Sequence, residues 1–379
     1  MKKIKICFAF LEGSPDYLGG ANIFHKNLIN YIYSKNKNIL LFWVYFGNEN
    51  KKYIKDNVEY IELKSGRFNS PLLLKRSIIL SRFFKKNHFN VINTAWGIWT
   101  NLYYKRKNQR IIHTFHGTMY YFNKNHLKNL NLLNKILLLP LLGISWIVDK
   151  PNKNTDKLIC VSEKVKRQVE KLYGKKKNLV VIRTGVNLYD FKPRDKNRIK
   201  KELKLEENKI YGLYVGGGGF WTKGLDRTTK LSEEIYNMNP DYRLIVIGPD
   251  YDKVKHLLDK KFIIFLQNVP RKNIPYYYST SDIFFCLSRY EGGAPTLVVS
   301  EAMASGCLLV CSKDSEQEII DNNKNGLIIE DFNKNDAEKI IKILEDKRKK
   351  ENLIKNSIKT VEELSLEKWG EIYLKELLK

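Results

Sequence analysis

The chain has 379 residues, which is too long for one ordinary core and suits two domains, and its 43% hydrophobic and 12% aromatic content excludes wholesale disorder. Lys and Arg number 67 against 41 Asp and Glu, a formal net charge of +26. Three interpretations are open: nucleic-acid binding, attraction to an anionic membrane or lipid-linked phosphate, or a compositional bias without a common target. The lysines are spread along the chain, which favours the bias first, the membrane next and nucleic acid last.

Strand and helix patterns alternate through the first half of the chain. A short apolar run at 4–10 predicts a strand, which is followed by Gly19 and Gly20 and a helical pattern to about residue 34. Further strands are predicted at 40–46, 58–63, 91–94 and 110–114, and a helix at 72–86. This alternation predicts an α/β fold with a parallel, doubly wound sheet. The glycine pair lets the backbone approach a ligand closely, although a structural turn explains it as well.

The strand at 110–114 leads into His116. A histidine at the carboxyl end of a parallel strand lies where open α/β proteins bind ligands, although a lone histidine is more often structural. His113 is the competing candidate, and strand alternation is expected to turn its side chain into the sheet or its packing face.

An apolar segment follows at 126–149. Residues 136–148 are almost wholly apolar but cover only about half of a bilayer, and Pro140 and Gly143 argue against a straight spanning helix. Two interpretations remain: a monotopic, interfacial segment with Trp146 near lipid headgroups, or a kinked helix buried in the core. We expect the interfacial one, with peripheral membrane contact through 126–149.

The second half begins with a strand at 210–215. It is followed by the glycines 216–219, then Lys223 and Gly224, and a helix from 225. A glycine run between strand and helix suits close approach to a phosphate, and Lys223 adds a point charge. The spacing is not that of a P-loop. Strands are predicted at 243–248 and 262–268 and a helix at 276–281.

The stretch 282–307 carries the most specific pattern: a buried strand, a small polar loop at 288–295 and a helix that ends at Gly306. A helix start presents unpaired N–H groups that can hold a diphosphate. Glu291 and Glu301 flank that start and can accept hydrogen bonds from sugar and ribose hydroxyls. Together they suit a nucleotide-sugar, while an ordinary α/β turn with solvated carboxylates explains the spacing equally well.

The sequence EAMASG at 301–306 resembles the donor-binding segment of the retaining GT-B glycosyltransferases of family 4 (glycosyl transferases group 1). The family pattern is a Glu, seven residues, a second Glu and Ala-Met-Ala-x-Gly, whereas nine residues separate Glu291 from Glu301 here. Lys223 also matches the family's Gly-Arg-x-x-x-x-Lys-Gly pattern, but Gly218 stands where its arginine is expected. Arg183 or Arg227 could supply the missing charge.

The resemblance implies two Rossmann-like, doubly wound domains that face each other across a cleft. They are an acceptor-binding domain at 1–187 and a nucleotide-sugar-binding domain at 188–362, with a helix at 363–379 that returns to the first. It further implies a retaining hexosyltransferase that uses a UDP- or GDP-linked sugar and a lipid-linked or polysaccharide acceptor.

The resemblance assigns roles to individual residues. The catalytic residues are His116, Lys223 and Glu291. The donor-binding residues are Gly19, Gly20, Gly218, Lys223, Val269, Glu291, Gly293, Thr296, Leu297 and Glu301. We expect no metal and no cofactor apart from the nucleotide-sugar substrate, because the lysine and the helix dipole supply positive charge.

The five cysteines lie in or beside apolar runs and form no C-x-x-C pair. This predicts buried reduced thiols and a cytoplasmic protein. From the apolar segment at 126–149 and the net charge we expect it to be peripheral on the inner face of the membrane. A non-catalytic nucleotide-sugar or glycan-binding protein is the alternative function, favoured by the missing arginine and the longer loop. Nucleic-acid binding is supported by net charge alone, and we expect no nucleic-acid partner.

Overall fold

The computed structural model describes residues 3–9, 15, 19–65, 74–95, 102–128, 131–151, 154–217, 219–248 and 251–379. The chain divides into two compact units: an amino-terminal unit, Met1–Arg183 with Glu367–Lys379, and a carboxyl-terminal unit, Thr184–Leu366. From the sequence, the boundaries between the two units were predicted to lie after residues 187 and 362.

The amino-terminal unit contains a sheet of eight described strands in the order β3-β4-β2-β1-β5-β6-β7-β8. They are β1 (Ile4–Ala9), β2 (Ile39–Gly47), β3 (Lys51–Lys55), β4 (Val58–Lys64), β5 (Val91–Thr94), β6 (Arg110–Phe115), β7 (Lys157–Cys160) and β8 (Leu179–Val181). Every pairing is parallel except that of β3 with β4. The antiparallel edge strand β3 was not predicted.

The carboxyl-terminal unit contains a sheet of six described strands, all parallel, in the order β11-β10-β9-β12-β13-β14. They are β9 (Ile210–Val215), β10 (Tyr242–Gly248), β11 (Ile263–Gln267), β12 (Ile283–Cys286), β13 (Leu308–Ser312) and β14 (Leu327–Ile329). Successive residues of β12 pack on opposite faces, with Ile283 and Phe285 in one hydrophobic cluster and Phe284 and Cys286 in another. This explains the continuous apolar run, because a strand covered on both faces has no polar side.

Thirteen helices flank the sheets in the described part of the chain. They are α1 (Gly20–Lys35), α2 (Leu74–Lys86), α3 (Met119–Lys128), α4 (Leu132–Asp149), α5 (Glu163–Tyr173), α6 (Lys196–Glu202), α7 (Leu225–Met238), α8 (Tyr251–Leu258), α9 (Ile274–Thr280), α10 (Leu297–Ala304), α11 (Lys334–Glu345), α12 (Lys347–Glu362) and α13 (Leu366–Leu378). Their starts follow from local chemistry: Ser162, for example, caps α5 by accepting a hydrogen bond from the Val165 amide at 3.1 Å.

Several sequence-based expectations need correction. The helix α6, which lies in the polar stretch at 194–208, was not predicted. The helix α4 is continuous from Leu132 to Asp149 with Pro140 inside it. It is also largely exposed, so the alternative of a kinked helix buried in the core is wrong.

The strand order fixes where each sheet can bind a ligand. In the carboxyl-terminal unit the chain proceeds from β9 to β10 and β11, then returns to place β12 on the other side of β9. The same reversal occurs between β1 and β5 in the amino-terminal unit. In open α/β sheets, ligands bind beyond the carboxyl ends of the strands at such a reversal.

Candidate active site

Two loops follow the strands at the reversal point of the carboxyl-terminal sheet. We call residues 216–224, after β9, the glycine loop, and residues 287–296, after β12, the acidic loop. Gly224 has φ of +71°, and a Cβ there would lie 2.0 Å from the Leu287 carbonyl oxygen. Glycine is therefore required at this position for the two loops to approach each other. Gly218 lies outside the described residues.

An ion pair joins the two loops. The Lys223 ammonium lies 2.5 Å from Oε2 of Glu291, and the Ser288 hydroxyl donates to Oε1 of the same carboxylate at 2.6 Å. The Glu291 side chain is 5% exposed, whereas that of Lys223 is 40% exposed. The cation is thus open to solvent while its counter-ion is covered.

The pKa of Lys223 reflects this pairing. Burial alone would lower the pKa, but the Glu291 carboxylate outweighs that effect and holds the Lys223 pKa above its ordinary value. An ammonium has three N–H donors, so Lys223 can bind Glu291 and a ligand oxygen together. Lys223 is therefore a permanent cation that a ligand can reach.

A second carboxylate, Glu301, lies fully buried on α10 and is held by an arginine. Both terminal nitrogens of Arg271 contact its two oxygens, and the Nη1–Oε2 distance is 3.0 Å. Burial would lower the pKa of Arg271, but the Glu301 carboxylate raises it overall. The guanidinium also lies 4.9 Å from the centre of the Phe191 ring. Glu301 is thus an ion-paired carboxylate, and the sequence pattern did not indicate its partner.

One of the backbone amides at the start of α10 already has a hydrogen-bond partner within the protein. The Thr296 amide, predicted to be available to a phosphate, donates to Oε1 of Gln317 at 3.0 Å. Gln317 is buried and was not predicted. Gly293, Thr296 and Leu297 are half-buried, which leaves part of this segment accessible.

The remaining predicted residues of this unit occupy other positions. Val269, after β11, is half-buried and packs against the same hydrophobic cluster as β12 and α10. Arg227, suggested as a substitute for the absent arginine, pairs instead with Asp314 at 2.8 Å and lies over the Phe332 ring at 4.5 Å. Arg227 therefore already has a carboxylate partner in the place of a ligand phosphate.

Arg289 fastens the two loops and was not predicted. Its guanidinium binds both carboxylate oxygens of Asp226, at 2.7 and 2.6 Å, and donates to the Trp221 carbonyl at 2.6 Å. Its backbone amide donates to the Thr222 carbonyl at 2.8 Å. These contacts lie on both sides of Lys223 along the chain, so Arg289 fixes the backbone that carries the lysine.

In the amino-terminal unit, Gly19 and Gly20 begin α1. Gly19 is the extended N-cap residue, and its carbonyl accepts from the Ile23 amide at 3.0 Å. Gly20 is exposed, and among the described residues no atom beyond its chain neighbours and its own helix backbone would lie within 4 Å of a Cβ there.

His116 directly follows β6, as expected. Its ring packs edge-on against Phe24 with 4.7 Å between centroids and lies 5.1 Å from the His25 ring. Its Nε2 has no hydrogen-bond partner among the described residues. Burial lowers the pKa of His116 to about 4. The imidazole is therefore neutral at neutral pH and can exchange a hydrogen bond with a hydroxyl group.

His113 lies in the core. It is 1% exposed, stacks on Phe115 with 3.9 Å between centroids, and its Nε2 lies 3.3 Å from the Ala95 carbonyl. Burial lowers its pKa to about 3. These contacts give His113 a packing role.

The carboxyl-terminal helix α13 packs on the neighbours of His116. Trp369 packs edge-on against Phe24 at 4.8 Å, and the Tyr373 hydroxyl bonds to Asn93 at 3.1 Å and to Thr114. These contacts fix the Phe24 ring against which the histidine packs. In the described part of the chain, no three His, Cys, Asp or Glu side chains are grouped so that they could hold a metal ion.

Two family models match the chain: "Glycosyltransferase Family 4" over residues 19–189 and "Glycosyl transferases group 1" over residues 195–360. Spore coat protein SA of Bacillus subtilis is 32% identical over 201 residues, which are 47% of this chain and 52% of that protein; the match thus spans about half of this relative. An uncharacterized glycosyltransferase of Methanocaldococcus jannaschii is 26% identical over 361 residues, 93% of this chain and 92% of that protein.

Solved structures share the fold. Sucrose-phosphate synthase from Thermosynechococcus elongatus has a TM-score of 0.78 at 17% identity over 98% of both chains. HepE of Anabaena, in complex with UDP and glucose, has a TM-score of 0.69 at 16% identity over 99% of both chains.

Proposed function

The chain belongs to the GT-B glycosyltransferases, matching glycosyltransferase family 4 in its first half and glycosyl transferases group 1 in its second, and on that premise we propose that it transfers a hexose-type sugar with retention. The donor is a nucleotide-sugar, and the acceptor is a lipid-linked or polysaccharide glycan. The protein acts in the cytoplasm, peripheral to the inner face of the membrane.

One observation carries the proposal: the accessible ammonium of Lys223 lies on the covered carboxylate of Glu291, where two loops meet at the reversal point of a parallel sheet. A nucleoside diphosphate gains negative charge as the bond from its oxygen to the sugar C1 breaks. A cation fixed before the reaction stabilises that charge without reorganising. Lys223 is suited to this role because Glu291, Ser288 and the Arg289 contacts hold it in place.

The other site residues take supporting roles in the proposal. Glu301 accepts hydrogen bonds from ribose hydroxyls, since each carboxylate oxygen has a second lone pair beyond its contact with Arg271. Glu291 and the neutral His116 orient the sugar. The proposed donor contacts also include Gly19, Gly20, Gly218, Val269, Gly293, Thr296 and Leu297.

The donor is proposed to be UDP- or GDP-linked. UDP and glucose are bound in the structure of HepE, which has the same fold. Because no side chain of the site stands out as a nucleophile, we propose front-face attack by the acceptor hydroxyl, with the departing diphosphate accepting its proton. Positive charge is supplied by Lys223 and the start of α10, and no metal or further cofactor is part of the proposal.

The test is release of nucleoside diphosphate from a panel of UDP-, GDP- and ADP-linked sugars. Lys223→Ala is expected to lower kcat by about 10²-fold or more, as for loss of one preorganised electrostatic donor. Lys324→Ala is the matched control, because that lysine is 72% exposed and pairs with Asp321 on the surface of the same unit. Parental turnover by Lys223→Ala would remove the lysine from the mechanism.

A non-catalytic nucleotide-sugar or glycan-binding protein is the second candidate. It is favoured by Gly218, which stands where the family pattern has an arginine. Calorimetry with the same panel separates the two functions. Tight binding without turnover of any donor supports the second candidate, and absence of both binding and turnover overturns both.

A further inference from the structure

The helix α4 presents its apolar side to the outside. Leu132, Ile136, Leu139 and Ile147 recur at helical spacing, and each is between 45% and 74% exposed. Leu133 and Leu137 broaden this row and are 67% and 65% exposed. We call these six residues the outward apolar stripe. At about 1.5 Å per residue the stripe is about 24 Å long.

The opposite side of α4 faces the unit and carries both apolar and polar residues. Val148 is buried in a hydrophobic cluster. Ser145 and Asp149 are also buried; Ser145 accepts from the Asn123 side chain at 2.8 Å, and Asp149 accepts from the Tyr120 amide at 2.9 Å. A helix on the surface of a soluble domain normally exposes a polar face. The outer face of α4 is apolar instead.

The margin of the stripe has the chemistry of a membrane interface. Lys135 and Trp146 lie beside the stripe by helical position, and the Lys150 ammonium lies 4.7 Å from the centre of the Trp146 ring. Trp146 is tied to the unit because its indole N–H donates to the Leu172 carbonyl at 3.3 Å. Tryptophan and lysine side chains with an apolar body and a polar tip settle at headgroup level.

We propose that the outward apolar stripe docks on an anionic lipid bilayer, with α4 lying in the plane of the interface. Charge selects this occupant over a second copy of the chain, since two chains of +26 repel each other whereas an anionic leaflet attracts both. By length and composition, α4 is the one described helix that could cross a membrane. However, Ser145 and Asp149 accept hydrogen bonds from α3, and these bonds hold α4 against the unit.

This inference deepens the proposed lipid-linked acceptor, but lipid binding is measured without donor or acceptor. It can therefore stand or fall independently of sugar transfer. The assay is flotation with vesicles of equimolar phosphatidylcholine and phosphatidylglycerol, beside vesicles of phosphatidylcholine alone.

Ile136→Glu is expected to weaken binding to the anionic vesicles about tenfold or more, because it places a carboxylate in the stripe. Ile54→Glu is the matched control: Ile54 is 78% exposed on β3 of the same unit, away from the stripe in sequence. Both positions are exposed, so both variants should fold. Equal binding by the two variants, or no binding by the unmodified protein, overturns the proposal.

Orientation is tested by labelling Ile136→Cys and Ile54→Cys with an environment-sensitive dye, since the five native cysteines are buried. On anionic vesicles we expect a blue shift for the dye at position 136 and none at position 54. Equal shifts at both positions would overturn docking through the stripe. So would sedimentation showing that Ile136→Glu converts a lipid-free dimer into a monomer, because the stripe would then be a self-interface.

Discussion

The residues proposed for the site keep their ionisable side chains in different states in the two units. In the carboxyl-terminal unit, Glu291 and Glu301 are buried and each contacts a cation. In the amino-terminal unit, His116 packs against the Phe24 and His25 rings, and burial lowers its pKa to about 4, which keeps it neutral. A carboxylate retains its charge in a low-dielectric site when it gains an ion partner, whereas an imidazole can lose its charge at small cost.

This difference matches the two demands of the proposed reaction. A departing diphosphate needs a fixed positive charge, and Lys223 provides it in the carboxyl-terminal unit. A sugar hydroxyl can also bond to an uncharged partner, and in the proposal His116 is that partner in the amino-terminal unit.

The largest effect is expected for Arg271→Ala, which leaves the buried Glu301 without its cation. Breaking a buried ion pair from one side costs about 3–5 kcal/mol, so the free energy of unfolding in urea should fall by that amount. Arg198→Ala is the control, because its pair with Glu202 is exposed and worth at most about 1 kcal/mol. Equal effects of the two substitutions would show that Glu301 does not depend on Arg271.

Asp149 should make stability depend on pH. Burial raises its pKa to about 7, even though it accepts from the Tyr120 amide. The folded state therefore binds a proton that the unfolded chain has released above a pH of about 4. The stability that this bound proton contributes to the folded state is fully present below that pH. It is lost as the pH rises to about 7, by at most about 1.4 kcal/mol per pH unit.

Asp149→Asn removes this titration while keeping an oxygen that can accept hydrogen bonds. Urea unfolding of both proteins across this pH range should show the variant gaining stability relative to the parent as pH rises. A constant difference between the two proteins would contradict the prediction.

A smaller effect on the free energy of unfolding is expected when the contact between Arg289 and Asp226 is altered. Arg289→Lys retains the charge but loses the paired contact with Asp226, and should cost about 1 kcal/mol. In a double-mutant cycle with Asp226→Asn, the two losses should not add. Additive losses would mean that the contact contributes nothing to stability.

The smallest effect is expected in the pH profile of turnover. Because burial lowers the pKa of His116 to about 4, its imidazole stays neutral throughout the neutral range. No change in the rate of nucleoside diphosphate release between about pH 6 and 8 should originate from this residue. A limb near pH 6.5 that disappears in His116→Gln would show that the histidine is charged in the reaction.

The sequence predicted the buried strands and most of the loops around the site, because apolar runs between glycine-rich turns are local signals. It missed β3 and α6. The strand β3 is a lysine-rich edge strand that buries little, and α6 depends on Asp195 capping two amides and on Ile199 reaching the core. Both segments read as polar connections.

The family resemblance pointed to Lys223, Glu301 and, with a longer spacing than the pattern has, Glu291, but the sequence did not indicate the arginines that hold this region. Arg271 lies thirty positions from Glu301, and Arg289 lies sixty-three positions from Asp226. Such pairs are formed by the packing of distant strands and leave no local pattern. The available signal was an unassigned arginine inside the acidic loop beside Glu291, with a carboxylate at Asp226 close to Lys223.

The contacts that Arg289 makes with the glycine loop limit how this loop could be replaced in a redesign of the proposed donor site. The glycine loop cannot be exchanged as an independent cassette, because its backbone at Trp221 and Thr222 and the adjoining Asp226 are held by a residue of another segment. A chimaera that imports the loop without both Asp226 and Arg289 would lose the contacts that hold the loop backbone in place. The two stretches form one structural unit, although more than sixty residues of chain run between them.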